Sequence, residues 1–370
     1  MEKIGIIAEY NPLHNGHIYH IKKIKEQFKD SLIILVMSGN FTQRGDTSII
    51  NKWNKTKLAL EYVDIVIELP FVFATQGADK FAQGAVEILK EMKVDYLIFG
   101  SESNSTEKLK ELAKTQLTEN YNNKVKEYTK QGINYPTAMS TTLKEICKET
   151  VTEPNDILGV CYIKEILKQK ANITPITIKR TNDYNSLNIE SNIISATAIR
   201  NLIKNNQNIK DYVPNNTLKY INKNTIENFY PLLKYKILTE ENLEKYETVD
   251  TGISYRIKKY IEKSNTLEEL INNIKTKYYT HNRIKRMLLH ILCNFTKKEN
   301  KMCEHIHYIR ILGFNEKGKI YIKEIKTNIP IITNYTKLKD KMLEIENRTT
   351  NIYSLIYEKT SELEKPIIRQ

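Results

Sequence analysis

The segment EYNPLHNGHIYH, Glu9 to His20, gathers three of the chain's seven histidines, His14, His17 and His20, around Asn15 and Gly16. Imidazoles can donate hydrogen bonds to phosphate oxygens as charge builds on them in a transition state. A glycine lets a flat base or ribose approach the backbone, and a helix that starts here offers free N–H groups to an anion. These residue types at this spacing point to a nucleoside triphosphate. The chain holds neither GxxxxGK[ST] nor GxGxxG, which excludes a P-loop and a dinucleotide fingerprint. A second segment, NIISATAIRNLIKN, offers Ser195 as an N-cap, Thr197 in the first turn and Arg200 one turn on. Hydroxyl, backbone N–H and guanidinium can there converge on distal phosphates. The four cysteines, Cys147, Cys161, Cys293 and Cys303, show no CxxC spacing, so neither a disulfide framework nor a zinc ribbon is expected. The group Cys293, Cys303, His305 and His307 matches no standard zinc spacing, and no metal ligands are assigned.

The elements that must hold these residues follow from hydrophobic pattern. IGIIAEY (4–10), SLIILVMSG (31–39), DIVIELP (64–70), DYLIFGS (95–101) and ITIKR (176–180) are short runs rich in Ile, Val and Leu, as expected of strands buried on both faces. Between them, GHIYHIKKIKEQF and DKFAQGAVEILKEMK repeat apolar residues at helical spacing. The alternation predicts βαβ units and an open parallel α/β sheet over residues 1–205, a Rossmann-like nucleotide-binding domain. The HNGH turn then falls at the carboxyl edge of the first strand, where such sheets bind ligands. Residues 206–370 read as a second, largely helical and basic region with a short mixed tail at KIYIKEI and IPIITNY.

Charge separates the two parts. The net charge is +13, and residues 201–370 hold 31 Lys+Arg against 20 Asp+Glu. Within them, 251–330 hold 17 basic and 7 acidic side chains, which fits a polyanion such as RNA. From Ile271 to Lys298 there is no acidic residue, and Lys275, Lys277, Arg283, Lys285 and Arg286 interleave with Tyr278 and Tyr279. Cations there can meet phosphates and the tyrosines can stack on bases. No apolar h-region or membrane-length run occurs, so a cytoplasmic protein is expected.

The HxGH turn together with ISATAIR (194–200) resembles the nucleotidyltransferase superfamily with the class I synthetase-type fold. More narrowly, EYNPLHNGHIYH, MSGNFTQRG (37–45), VDIVIELPFVFATQGADKFAQGAV (63–86), VDYLIFGSE (94–102), EPNDILGVCYIKE (153–165), YYTHNRIKRMLLHIL (278–292) and RILGFN (310–315) resemble the tRNA(Met) cytidine acetate ligase family. The resemblance implies activation of acetate by ATP as acetyl-adenylate. The acetyl group then passes to N4 of the wobble cytidine in the anticodon loop of elongator methionine tRNA, with no role for DNA or a membrane. It implies an ATP loop from Ile7 to His20, catalytic His14 and His17, and nucleotide contacts from Gly100, Asn155 and Arg180. Mg²⁺ bridging the phosphates would accompany ATP. Ser38, Asn40 and Arg44, after the second strand on the same edge, are candidates to seat acetate. Where the family commonly carries a Gly-Leu-Glu-Asn-Arg run, this chain has GISYR, Gly252 to Arg256.

Two other functions use the same residues. An adenylyltransferase would join the nucleotide to a small phosphorylated metabolite and would need no large cationic arm. A non-catalytic RNA-binding factor would use the HNGH site only to sense nucleotide, binding ATP without releasing pyrophosphate.

Overall fold

Strand formation follows the apolar runs, and the computed structural model describes residues 1–180 and 192–369. The strands are β1 (Lys3–Ala8), β2 (Leu32–Ser38), β3 (Ile65–Leu69), β4 (Tyr96–Ser101), β5 (Thr174–Lys179), β6 (Ile309–Asn315), β7 (Ile331–Ile332) and β8 (Ile367–Arg369). They form one sheet in the order β5-β4-β1-β2-β3-β6-β7, with β8 also paired to β6. The pairs β1–β2, β1–β4, β2–β3 and β4–β5 are parallel. After β3 the chain crosses to the far side of β1 to form β4, so the strand order reverses at β1. A crevice opens at the carboxyl end of such a switch point, and the HNGH turn leaves β1 there.

Both faces of the central strands are covered, which is why their sequences are continuous apolar runs rather than alternating ones. Every residue of β2 and of β3 is buried. Ile34 and Val36 face Ala82, Val86 and Leu89 of the helix Ala78–Glu91. Ile33, Leu35 and Met37 face the opposite layer, with Ile18, Ile21 and Ile24 of the helix Asn15–Gln27.

The sequence division at residue 205 does not divide the sheet. β6 lies antiparallel on β3, and β7 and β8 flank it, so the C-terminal residues complete the N-terminal sheet. Without β6, fully buried β3 would be an exposed edge, the arrangement that invites aggregation. KIYIKEI, read from sequence as part of a mixed tail, lies in the helix Glu316–Glu324. The middle of the C-terminal part is helical as expected, with helices Tyr230–Thr239, Thr251–Ile261, Leu267–Ile274 and His281–Leu292. Among the described residues no helix is long and apolar enough to cross a membrane.

Candidate active site

The helix Asn15–Gln27 begins with His14 as its N-cap. His14 Nδ1 accepts a hydrogen bond from the Gly16 N–H at 3.0 Å, and the His14 N–H donates to His17 Nδ1 at 3.3 Å. An accepting Nδ1 assigns the single proton of each neutral ring to Nε2, so both imidazoles present an N–H donor on their far side. The rings lie 3.8 Å apart between centroids, and Tyr10 packs on His17 at 4.6 Å. Burial keeps the rings neutral: it pushes His14 down to about 3, with Arg180 and Arg200 adding repulsion. His17 is held well below its ordinary value by burial and by His14, and His20 falls to about 4 through burial and Arg180. His20 Nε2 is buried with no partner among the described residues. Gly16 has a specific steric task, because a Cβ there would stand 2.8 Å from His14 Cε1. The glycine makes room for the folded-back imidazole as well as leaving backbone accessible.

Three guanidiniums surround these imidazoles. Arg200 donates from Nη1 to the Asn11 carbonyl at 2.7 Å and from Nη2 to Thr197 Oγ1 at 3.1 Å. Arg44 donates to the same Thr197 hydroxyl at 3.3 Å. Ser195 caps the helix Ala196–Lys204 by accepting from the Ala198 N–H at 3.2 Å. Arg180 donates to Asn155 Oδ1 at 3.3 Å, while the Asn155 amide donates to Glu102. Gly100 lies beneath this arginine, its missing Cβ 3.2 Å from Arg180 Cγ, so it clears space for a side chain of the chain itself. Burial lowers both Arg180 and Arg200; Glu102 opposes this at Arg180, and Asp46 and Glu9 oppose it at Arg200, while Arg44 lowers each further. Three crowded, partly desolvated guanidiniums, incompletely balanced by Glu102, Glu9 and Asp46, can hold an anion. Ile7 is half-buried near the end of β1, in register with Val36 of β2.

Of the residues after β2, Arg44 reaches this cationic group through Thr197 and Asn40 is engaged elsewhere. Asn40 donates to Thr350 Oγ1 at 3.1 Å and accepts from the Lys52 N–H at 3.0 Å, which fastens the loop to the C-terminal layer. The Ser38 hydroxyl is buried without a partner among the described residues. Sequence reasoning did not single out Glu9, Gln43, Lys55, Glu102 or Asp156. The Lys55 ammonium binds the carbonyls of Glu9, Ser38 and Gly39 at 2.9, 2.7 and 2.8 Å, tying the ends of β1 and β2 together. Burial pushes this lysine down to about 7. Glu9 Oε1 accepts from the Gln43 N–H at 2.7 Å. Asp156 accepts from the Glu102 and Ser103 N–H groups at 3.1 and 3.0 Å and positions the turn after β4. Glu9 lay within a quoted motif, but a buried lysine on a short helix carries no periodic signal.

The basic segment begins where the loop ends. Lys285 pairs with Asp46, and Arg286 donates to the Gln43 carbonyl at 3.2 Å. Gly45, at φ +76°, allows this contact, since a Cβ would stand 2.6 Å from the Arg286 nitrogen. Burial pushes Arg286 down to about 10. Farther out, the Arg283 guanidinium covers the Tyr279 ring at 5.0 Å and Lys277 lies 5.3 Å from the centre of the exposed Tyr278 ring. The Tyr279 hydroxyl donates to Asp250, and Lys275 is exposed. In GISYR, Arg256 binds the carbonyls of Ile274 and Asn273 at 3.0 and 2.9 Å, which closes the neighbouring helix, while Tyr255 is 68% exposed and free to meet a ligand. The group from the zinc question disperses: His305 meets Glu87 and His307 meets Asp340.

The family model for HIGH Nucleotidyl Transferase matches residues 1–366. A protein of Anoxybacillus flavithermus named tRNA(Met) cytidine acetate ligase is 38% identical, over 95% of this chain and 94% of that one. Relatives of the same name are 40% identical in Caldanaerobacter subterraneus, with 96% of each chain covered, and 39% identical in Oceanobacillus iheyensis, with 100% of each covered. Thermotoga maritima TmcAL superposes with a TM-score of 0.89 in an apo crystal form and 0.88 in a form bound with alpha-thio ATP. Each is 31% identical, and the match covers 100% of this chain and 99% of that one. With its site at the switch point and relatives matched end to end, the chain belongs to the tRNA(Met) cytidine acetate ligase family of HIGH nucleotidyl transferases.

Proposed function

We infer that this protein is an ATP-dependent ligase that joins acetate, through acetyl-adenylate, to N4 of the wobble cytidine of elongator tRNA(Met). The observation that carries the reading is the pair of neutral, Nε2–H-presenting imidazoles of His14 and His17 set among Arg44, Arg180 and Arg200. Its relatives' names and the alpha-thio ATP bound by a structural neighbour support it.

Acetate is an anion at neutral pH, so the first step needs no base. The site must hold two anions together and stabilise charge on the α-phosphate. His14 and His17 do this as hydrogen-bond donors, and Gly16, Gly100, Asn155, Arg180, Ser195, Thr197 and Arg200 hold the nucleotide. Mg²⁺ accompanying ATP would offset the charge on the phosphates. The crevice supplies no carboxylate cage, since the one cluster of potential metal ligands among the described residues, Glu68, Glu346 and Glu362, surrounds the Lys52 ammonium. Arg44 and the unpartnered Ser38 hydroxyl are the acetate contacts best supported by geometry. Lys275, Lys277, Tyr278, Tyr279, Arg283, Lys285 and Arg286 receive the anticodon arm, whose single-stranded loop lets a base swing out at small cost.

The test is transfer of labelled acetate into total tRNA by the purified protein with ATP and Mg²⁺, beside a His17→Ala control. Label on the wobble cytidine of tRNA(Met), lost in the variant, is the expected result. Pyrophosphate release without label on RNA would identify a different acceptor and favour the small-metabolite adenylyltransferase. ATP binding with neither product would favour the nucleotide-sensing factor.

A further inference from the structure

The second chemical step has a demand that the first does not. An aromatic amine attacks the acetyl carbonyl and must lose a proton, and neutral imidazoles already committed as donors to phosphate are poor recipients. One carboxylate stands at the carboxyl edge of β1. Glu9 follows β1 directly, and its side chain is half-buried. Its Oε1 is pinned by the Gln43 N–H at 2.7 Å, whereas Oε2 has no hydrogen-bond partner among the described residues. Its own carbonyl is held by the Lys55 ammonium of the helix Lys52–Ala59 at 2.9 Å.

We propose that Glu9 accepts the proton released by the cytosine N4 amine during acetyl transfer. The inference rests on the ligase reading above. The N4 lone pair forms the new C–N bond to the acetyl carbon, and one N4 proton passes to Glu9 Oε2. The bond from that carbon to the phosphate oxygen breaks, and AMP leaves with the electron pair. The neutral Glu9 acid then returns its proton to solvent. The groups facing Glu9 come from every adjoining element: Lys55 on the helix Lys52–Ala59, Arg44 on the loop after β2, Arg200 on the helix Ala196–Lys204, and Tyr162 on the helix Pro154–Lys168. Burial raises the carboxyl above its ordinary range, while Gln43, Lys55, Arg44 and Arg200 oppose that rise. The net shift is upward, which makes Glu9 a stronger base than an exposed carboxylate.

The experiment supplies chemically prepared acetyl-adenylate and a tRNA(Met) transcript to the full-length protein under single-turnover conditions, across pH. Glu9→Gln keeps an acceptor for the Gln43 N–H but cannot take a proton. It is expected to slow transfer by about 100-fold or more and to abolish the acidic limb of the rate profile. Glu9→Asp, which keeps a carboxylate, is expected to retain the limb at a reduced rate. Transfer by Glu9→Gln within a few-fold of the parent would overturn the proposal. So would slow transfer with the acidic limb intact, which would make Glu9 a positioning residue only. Failure of the parent protein to transfer from acetyl-adenylate would instead overturn the ligase reading.

Discussion

In their proposed role as donors to phosphate, His14 and His17 are better kept neutral with the proton assigned than left to titrate near neutrality. Burial keeps both neutral, and Nδ1 acts as the acceptor inside the helix cap. Replacing either by Ala is expected to reduce acetate-dependent pyrophosphate exchange by about 10²- to 10³-fold, the scale of losing one preorganised donor. Gly16→Ala is expected to damage the same exchange, because its Cβ collides with the His14 ring. Activity assays of this variant beside a thermal melt separate loss of the cap from loss of the fold. The same burial has a linkage consequence. The folded values of His14 and His20, about 3 and about 4, lie below the ordinary 6.5, so below pH 6.5 the unfolded chain binds more protons. The stabilising contribution is therefore complete above about pH 6.5 and is lost as pH falls toward 4. Tm measured over that interval should fall, and a His14→Gln, His17→Gln, His20→Gln variant should fall less steeply.

At the level of elements, the loop that carries Arg44 is anchored from behind by a buried charge cluster. Lys52 binds Glu68 at 2.7 Å and Glu362 closely, with Glu346 at 3.9 Å, and Arg310 approaches Glu362 at 3.6 Å. These residues come from the helix Lys52–Ala59, β3, β6, the helix Lys341–Tyr353 and the segment before β8, so the cluster joins the late chain to the early sheet. Three carboxylates face two cations, and burial with Glu68 nearby drives Glu346 well above the ordinary carboxyl range. Lys52→Met, which strips the shared cation from buried carboxylates, is expected to cost about 3–5 kcal/mol in urea unfolding. Glu346→Gln, which removes a carboxyl whose charge burial opposes and still accepts from the Phe71 N–H, is expected to change stability by about 1 kcal/mol or less.

Across the whole molecule, the basic helix His281–Leu292 docks its first turns on the loop after β2, so the surface proposed for RNA adjoins the candidate site. Lys277→Ala and Arg283→Ala are each expected to raise KM for tRNA and to reduce the slope of log affinity against log salt by about 1. Filter binding at several salt concentrations reads both effects. A change in affinity with an unaltered slope would place these cations away from phosphate.

The order of buried strands and amphipathic helices, and the HNGH turn at the end of β1, are local patterns, and the sequence by itself determined them because hydrophobic period and cap chemistry act over a few residues. Ser195, Thr197 and Arg200 were legible for the same reason. What the tertiary structure decided are the long-range pairings: Arg180 crossing the place of a missing Cβ at Gly100, Lys55 clamping the ends of two strands, and Glu9 pinned by Gln43. It also returned residues 309–315 to β3, so that a chain read as two parts in succession closes as one sheet. Such contacts join residues tens or hundreds of positions apart, and no periodicity in a single sequence encodes which partner fills a given space.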